Sequence, residues 1–338
     1  MELYLIRHGE TVDNVAGVYA GVRDSALTNH GVEQAQRLGK YFHQQDVRFS
    51  HIFASPLSRA RRTAEAVASH QKWSDERSSL RVIQVPDLIE QDFGYYEGKT
   101  FRARADAQRL GRDAQRERSE DEAAVFVDVE SKDSMMKRAD AFLDEHLLPL
   151  FFTEVDTPGV ALQVAVVSHG ILLGNLWRRL LARLPVKSVT ISPDVTSSRG
   201  SVILEHLGGW SNTGYLNLTF TKPKVPVSIT LSSATALPSA PPAMTATTGD
   251  EEARSPESAD LASITPAGAI TSTSERHVML TGWSARINAI DSKQHLASLK
   301  RQRGGIGSSA HDQGQQRLES FFKRQKKNIS EPPSKPIT

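Results

Sequence analysis

Two apolar runs in this chain end in the same way. ELYLI passes into Arg7, His8 and Gly9, and LQVAVVS passes into His169 and Gly170. A plain turn out of a strand is served by Gly, Asn, Asp or Ser; it asks for neither an imidazole nor a neighbouring guanidinium. In an open parallel sheet, ligands bind beyond the carboxyl ends of the strands, where the winding direction switches. Two strands that end in His-Gly are therefore placed to bring His8 and His169 over one site. Read singly, each is equally a strand-end histidine with backbone partners.

The rest of the first 220 residues supports a sheet of this kind, because strand and helix signals alternate. LTNHGVEQAQRLGKYF sets Val32, Ala35, Leu38 and Phe42 at helical spacing. HIFAS reads as a buried strand, and Pro56 is suited to open the helix LSRARRTAEAVASH. LRVIQV is a further strand, residues 101–118 and 134–150 read as helices, and ILLGNLWRRLLARL is a helix directly after His169-Gly170. GSVILEHL and GYLNLTF read as late strands. This order predicts an α/β fold, a three-layer α/β/α sandwich with a mostly parallel sheet.

Composition marks where that body stops. Within residues 223–273, 33 of 51 residues are Ala, Ser, Thr or Pro, and none is aromatic. Such a stretch buries too little apolar surface to offset the entropy of ordering it. The expected organisation is a body over 1–222, a disordered linker over 223–274, and a tail over 275–338. Residues 276–338 carry twelve Lys or Arg against four Asp or Glu, so a tail of +8 follows a mildly acidic body within a net charge of +2. There are no cysteines among the 338 residues, which excludes disulfides and thiolate chemistry and favours a reducing compartment, cytoplasmic or nuclear. No run approaches the roughly 18 apolar residues of a membrane span, and no membrane partner is expected.

Arginines supply the next element. Arg7 adjoins His8, and Arg59 opens the helix after FASPL. Guanidinium groups are planar forks that match phosphate oxygens, so two arginines with two imidazoles imply an anionic ligand with several oxygens. No cysteine cluster, HExxH helix or Walker loop is present, and neither a metal nor another cofactor is expected.

These segments together, LIRHGET with its Asn14, SPLSRARRTAE, LIEQDFGYYEG and VVSHG, resemble the histidine phosphatase superfamily, the phosphoglycerate mutase-like proteins. The resemblance covers about residues 1–220. It implies that His8 is the nucleophile that becomes phosphorylated, and that Arg7, Asn14, Arg59 and His169 hold the phosphoryl group. It also implies that Glu90 is the proton donor; Asp92 and Glu97 lie close enough in sequence to be alternatives. Phosphoryl transfer spreads charge over three oxygens and relies on positioned cations. A histidine attacks only when neutral, and adjacent arginines disfavour the imidazolium. Gly9 is expected to let the backbone approach the ligand.

Glycolytic mutases of the family carry an arginine directly after the acid-loop glutamate, where this chain has Gln91. They also use a paired arginine in a long insertion, whereas LGRDAQRERSEDEAA has no adjacent pair. The expected activity is hydrolysis of a phosphomonoester, with a mutase or a catalytically weak scaffold as alternatives. Sugar phosphates, nucleotides, polyphosphates and phosphoproteins all fit as substrates.

The tail carries its own signals. Ile287, Ile290, Leu296 and Leu299 are spaced for a short amphipathic helix. Gln315, Leu318, Phe321 and Phe322 fit Q-x-x-L-x-x-F-F and resemble the PIP box, by which nuclear proteins bind the sliding clamp PCNA; a helical turn would present the apolar residues to a groove. The alternative is that these side chains pack on the chain's own body or on a second copy. KRQR at Lys300 and KRQKK at Lys323 suit nuclear import, nucleic-acid contact or plain solvation. Ser255-Pro256 is a candidate kinase site.

Overall fold

The computed structural model describes residues 1–71, 80–103, 128–153, 161–222, 277–302 and 305–312. Seven strands form one sheet: β1 (Glu2–Arg7), β2 (His51–Ala54), β3 (Val82–Gln84), β4 (Gln163–Ser168), β5 (Val189–Ile191), β6 (Tyr215–Thr221) and β7 (Ser284–Ser292), in the order β3-β2-β4-β1-β6-β7-β5. Four of the six pairings are parallel; β6 runs antiparallel to β1 and to β7. The sheet is thus mostly parallel, as the alternation of elements predicts.

Side-chain alternation divides the core into two layers. Leu3, Leu5, Val164 and Val166 point to one face and pack with helices α4 (Lys132–Phe142) and α5 (Gly170–Arg183) through Met135, Phe142, Leu173 and Trp177. Tyr4, Ile6, Ala165 and Val167 point to the other and pack with α2 (Asn29–Gln44) and α3 (Ser58–Ala68) through Leu38, Phe42, Ala64 and Val67. These strand residues are covered on both faces of the sheet, which is why β1 and β4 read as unbroken apolar runs. Each fully buried Leu, Val or Phe contributes about 1.5–3 kcal/mol.

Register decides the rest. β1 and β4 pair in parallel with Leu5 opposite Val166 and Arg7 opposite Ser168. The next residue on each strand is His8 and His169, so the two imidazoles leave the sheet side by side. The helix that follows β1 covers one face and the helix that follows β4 covers the other, which makes this pair the switch point.

Three expectations are corrected. Residues 277–312 are no detached tail: they belong to the same compact unit as Met1–Lys222. The segment with Ile287 and Ile290 is strand β7, not an amphipathic helix; Leu280, Ala285 and Ile287 are buried in the core. The unpaired edges of β6 and β5 offer it backbone partners, and tertiary pairing of this sort overrides a local helical spacing. GSVILEHL forms no strand but an isolated Ile203–His206 bridge. Val202, Leu204 and Leu207 dip into the core, and the Leu204 carbonyl accepts from Trp177 Nε1 at 2.6 Å. The linker, Ser255, residues 104–118 of the charged helical stretch and the PIP-like residues Gln315, Leu318, Phe321 and Phe322 lie outside the described residues.

Candidate active site

His8 and His169 face one another with ring centroids 5.0 Å apart and planes at 59°. His8 is anchored through its backbone: its N–H donates to the Ser168 carbonyl at 3.0 Å, and its own carbonyl accepts from Thr213 N–H at 3.2 Å. Its Nδ1 lies 2.7 Å from the Gly9 carbonyl oxygen. A carbonyl only accepts, so Nδ1 carries the proton and Nε2 is left with its lone pair. Burial holds His8 well below the usual histidine range, and the Arg59 and Arg7 guanidinium groups push the same way against the Gly9 hydrogen bond. The arginines thus reinforce a neutrality that burial dominates.

His169 has the opposite tautomer. Arg59 Nε donates to its Nδ1 at 3.2 Å, so Nε2 carries the proton, and this nitrogen lies 2.9 Å from Ser55 Oγ. Burial, then Arg59, then His8 depress its protonation.

Arg59 is 1% exposed and is occupied on nearly every side. Besides the bond to His169, Nη1 donates to the Arg23 carbonyl at 2.8 Å, and Nη2 to those of Ala20 at 3.0 Å and Gly21 at 2.7 Å. Four bonds leave at most one of five N–H groups free. These bonds orient His169 and the 20–23 loop and leave little of the fork for the phosphoryl group that the resemblance assigns to Arg59. Arg7 is the more available cation. Nη1 donates to the Trp210 carbonyl at 2.5 Å, while its buried Nε has no partner.

Glu90 is joined to the same centre by the start of α5. That helix has His169 as N-cap with no side-chain cap bond. The Glu90 carboxylate takes the cap's place: Oε1 accepts from Leu172 N–H at 2.9 Å and Gln91 N–H at 3.0 Å, and Oε2 from Ile171 N–H at 3.0 Å. Amides at the start of the helix, which have no partner within it, thus find their acceptors in Glu90. Of the alternatives, Glu97 is used up as a brace, accepting from the N–H groups of Gly21, Val22, Arg23 and Phe93. Asp92 caps Gly94 N–H at 2.7 Å.

Asn14 sits in α1 (Val12–Ala16) and closes a capping box with Thr11. Its Oδ1 accepts from Thr11 N–H at 3.2 Å and from Asn212 Nδ2 at 3.1 Å, and the same Asn212 amide donates to the His8 carbonyl. Gly9 departs from expectation. A Cβ there would lie 2.6 Å from the Gly31 carbonyl oxygen, so glycine is required for packing on the start of α2 rather than for approach to a ligand. Its N–H donates to Thr63 Oγ1 at 3.0 Å.

The six residues picked out from the sequence, Arg7, His8, Asn14, Arg59, Glu90 and His169, gather at one place. Those that support them were not legible. Ser55 lies within a quoted motif but nothing marks it as a partner of His169. Arg138 donates to the carbonyls of Asp87, Ile89 and Glu90 and is held by Glu130 at 2.7 Å, a bracing of the acid loop that no short pattern reveals. Trp210, Asn212 and Thr213 form a loop with no signal of its own. Among the described residues, no group of three or more His, Asp or Glu side chains is placed to hold a metal ion.

Comparison with known proteins shows the family. The profile of the histidine phosphatase superfamily (branch 1) matches residues 3–202, and the chain belongs to that family. A protein of Schizosaccharomyces pombe named as a probable phosphatase is 34% identical over 192 residues, 55% of this chain and 60% of that protein. The adenosylcobalamin/alpha-ribazole phosphatase of Escherichia coli is 40% identical over 102 residues, 30% of this chain and 46% of that protein. A probable phosphoglycerate mutase GpmB of Erwinia tasmaniensis is 32% identical over 200 residues, 57% of this chain and 83% of that protein. The chain thus spans about half the length of the two named phosphatases and most of the mutase relative.

Proposed function

We propose that the chain is a phosphatase that hydrolyses a phosphomonoester through a phosphohistidine on His8. The observation that carries this is the neutral His8 ring, with Nδ1 tied to the Gly9 carbonyl and Nε2 free, 5.0 Å from His169. Nε2 attacks phosphorus and the bond to the leaving oxygen breaks. Arg7 and the Asn14 amide offer donors to the phosphoryl oxygens, where the charge of a loose transition state resides, and His169 lines the site beside them.

The leaving oxygen must gain a proton, and Glu90 supplies it. Oε1 already accepts two backbone bonds and Oε2 one, so Oε2 is the atom with room to carry the proton. Water then attacks phosphorus, the P–N bond breaks, and Glu90 takes the water's proton.

Hydrolysis is preferred to mutase chemistry on one observation. At the position after Glu90, Gln91 donates from Nε2 to the Glu130 carbonyl at 2.8 Å. It braces the acid loop and offers no cation to a substrate carboxylate. The fitting substrates are phosphorylated small molecules or phosphoproteins.

The test is incubation of the full chain with para-nitrophenyl phosphate over a pH series, with acid- and base-quenched samples assayed for acid-labile phosphate on His8. Turnover with a labile phosphoenzyme that His8→Asn abolishes is the expected result. A folded chain with no turnover at any pH overturns the reading.

Recruitment is a separate proposal that rests on the order Gln315, Leu318, Phe321, Phe322 in a basic segment: the tail binds PCNA and brings the enzyme to the nucleus. Replacing Phe321 and Phe322 by Ala abolishes capture by purified PCNA if this holds; unchanged capture removes it.

A further inference from the structure

The phosphoryl site is finished by residues that the chain supplies only after residue 276. Arg7 and His8 are fixed by the loop 210–214. The Trp210 carbonyl holds Arg7 Nη1 at 2.5 Å, and Asn212 Nδ2 donates to the His8 carbonyl at 3.2 Å. Thr213 N–H donates to the carbonyls of Arg7 and His8, and Arg7 N–H donates to that of Gly214. Thr213 has φ 55, a left-handed conformation costly for a β-branched residue and held only by outside contacts.

Contacts to this loop come from the end of β7 and the turn after it. Asp291 Oδ1 accepts from Ser211 N–H at 2.7 Å and Oδ2 from Ser211 Oγ at 2.8 Å. His295 Nε2 lies 2.9 Å from Thr213 Oγ1. Gly214 bears the imprint of this clamp, since a Cβ there would stand 2.1 Å from Asp291 Oδ1. The Asp291 charge also acts on Arg7. The same returning segment grips the site from the other flank. Arg301 pairs in a fork with both carboxylate oxygens of Glu10, two residues from His8.

We infer that Asp291 is a positioning residue for the phosphoryl site, acting through the loop 210–214 on the Arg7 guanidinium and the His8 ring. The inference rests on the phosphatase reading for its meaning in turnover, but its physical content is separate: without the Asp291 carboxylate, Ser211 loses two acceptors, the turn that precedes Thr213 loses its tie to β7, and the Trp210 carbonyl beside it no longer aims Arg7. Residues 277–312, like the loop 210–214 that they hold, lie beyond the segment 3–202 matched by the family profile.

The experiment uses the full chain as wild type, Asp291→Ala, Asp291→Asn and, at the far end of β7, Ser284→Ala. Affinity for inorganic phosphate is measured by calorimetry. The His8 ring, which faces Arg7, Arg59 and His169, is titrated by NMR of histidine-labelled protein. Asp291→Ala is expected to weaken phosphate binding at least tenfold and to move the His8 titration upward as Arg7 drifts away. Asp291→Asn, which keeps an acceptor for Ser211 N–H, falls between; Ser284→Ala matches wild type. In turnover, kcat falls more than KM rises. Phosphate affinity within twofold of wild type together with an unmoved His8 titration, in Asp291→Ala or in Asp291→Asn should the alanine variant not fold, overturns the inference. Absence of turnover from the wild type would remove the phosphatase reading and leave these two measurements standing.

Discussion

The Nδ1 of His8 rests 2.7 Å from the carbonyl oxygen of the very next residue, Gly9. That single bond selects the tautomer and leaves Nε2 as the nucleophile. In ¹⁵N NMR at neutral pH, His8 is expected as the Nδ1–H form and His169 as the Nε2–H form; both rings in one tautomer would contradict the geometry.

Stability should depend on pH through the same pair. Both histidines are held well below 6.5 in the folded chain, so the unfolded chain binds more protons in the acid range. Their contribution is fully present above about pH 6.5 and is lost as pH falls towards the folded values, at about 1.4 kcal/mol per pH unit for each ring. Thermal melting of wild type should drop between pH 6.5 and 5 more steeply than that of His8→Gln. Parallel curves would show that His8 is not buried in its neutral form.

Glu90→Gln should slow hydrolysis of an alkyl phosphate by about 10²–10⁴-fold. In the phosphorylation step alone, read as the pre-steady-state burst, the loss on para-nitrophenyl phosphate should be far smaller, since nitrophenolate leaves without a proton, while breakdown of the phosphohistidine slows for both substrates. Equal losses on both in that first step would assign Glu90 to holding the helix start rather than to proton transfer.

Arg138→Met removes the brace beneath the acid loop and strands Glu130, whose carboxylate is bonded to Arg138 at two points. The expected cost is about 1–3 kcal/mol of stability, read by chemical denaturation, with a kcat loss on alkyl phosphates that Arg138→Lys partly restores.

Gly31→Ala tests the packing at the start of α2. A Cβ there would stand 2.0 Å from the Glu10 carbonyl oxygen, which is backbone and has little freedom to retreat. The expected loss is about 1–3 kcal/mol. A melting temperature equal to wild type would mean that the turn after His8 is looser than its contacts indicate.

The site was legible where its residues sit in short local patterns. Arg7-His8-Gly9 and His169-Gly170 are strand ends, and a parallel sheet by rule collects strand ends. Glu90, Arg59 and Asn14 came through the resemblance of their motifs. The braces were not legible: Arg138 and Ser55 act on backbone carbonyls or on a ring far away in sequence, and nothing in their neighbours marks them. β7 was misread because Ile287 and Ile290 fall at a spacing that suits a helix as well.

Periodicity and turn chemistry are properties of adjacent residues, and from them the strands, the helices and the paired His-Gly turns follow directly. Which strand lies beside which is a long-range outcome. The β1–β4 register, the seat of β7 between β6 and β5, and the reach of Asp291 to Ser211 depend on burial and hydrogen bonds that exist only once distant segments have met, so only the folded chain could reveal them.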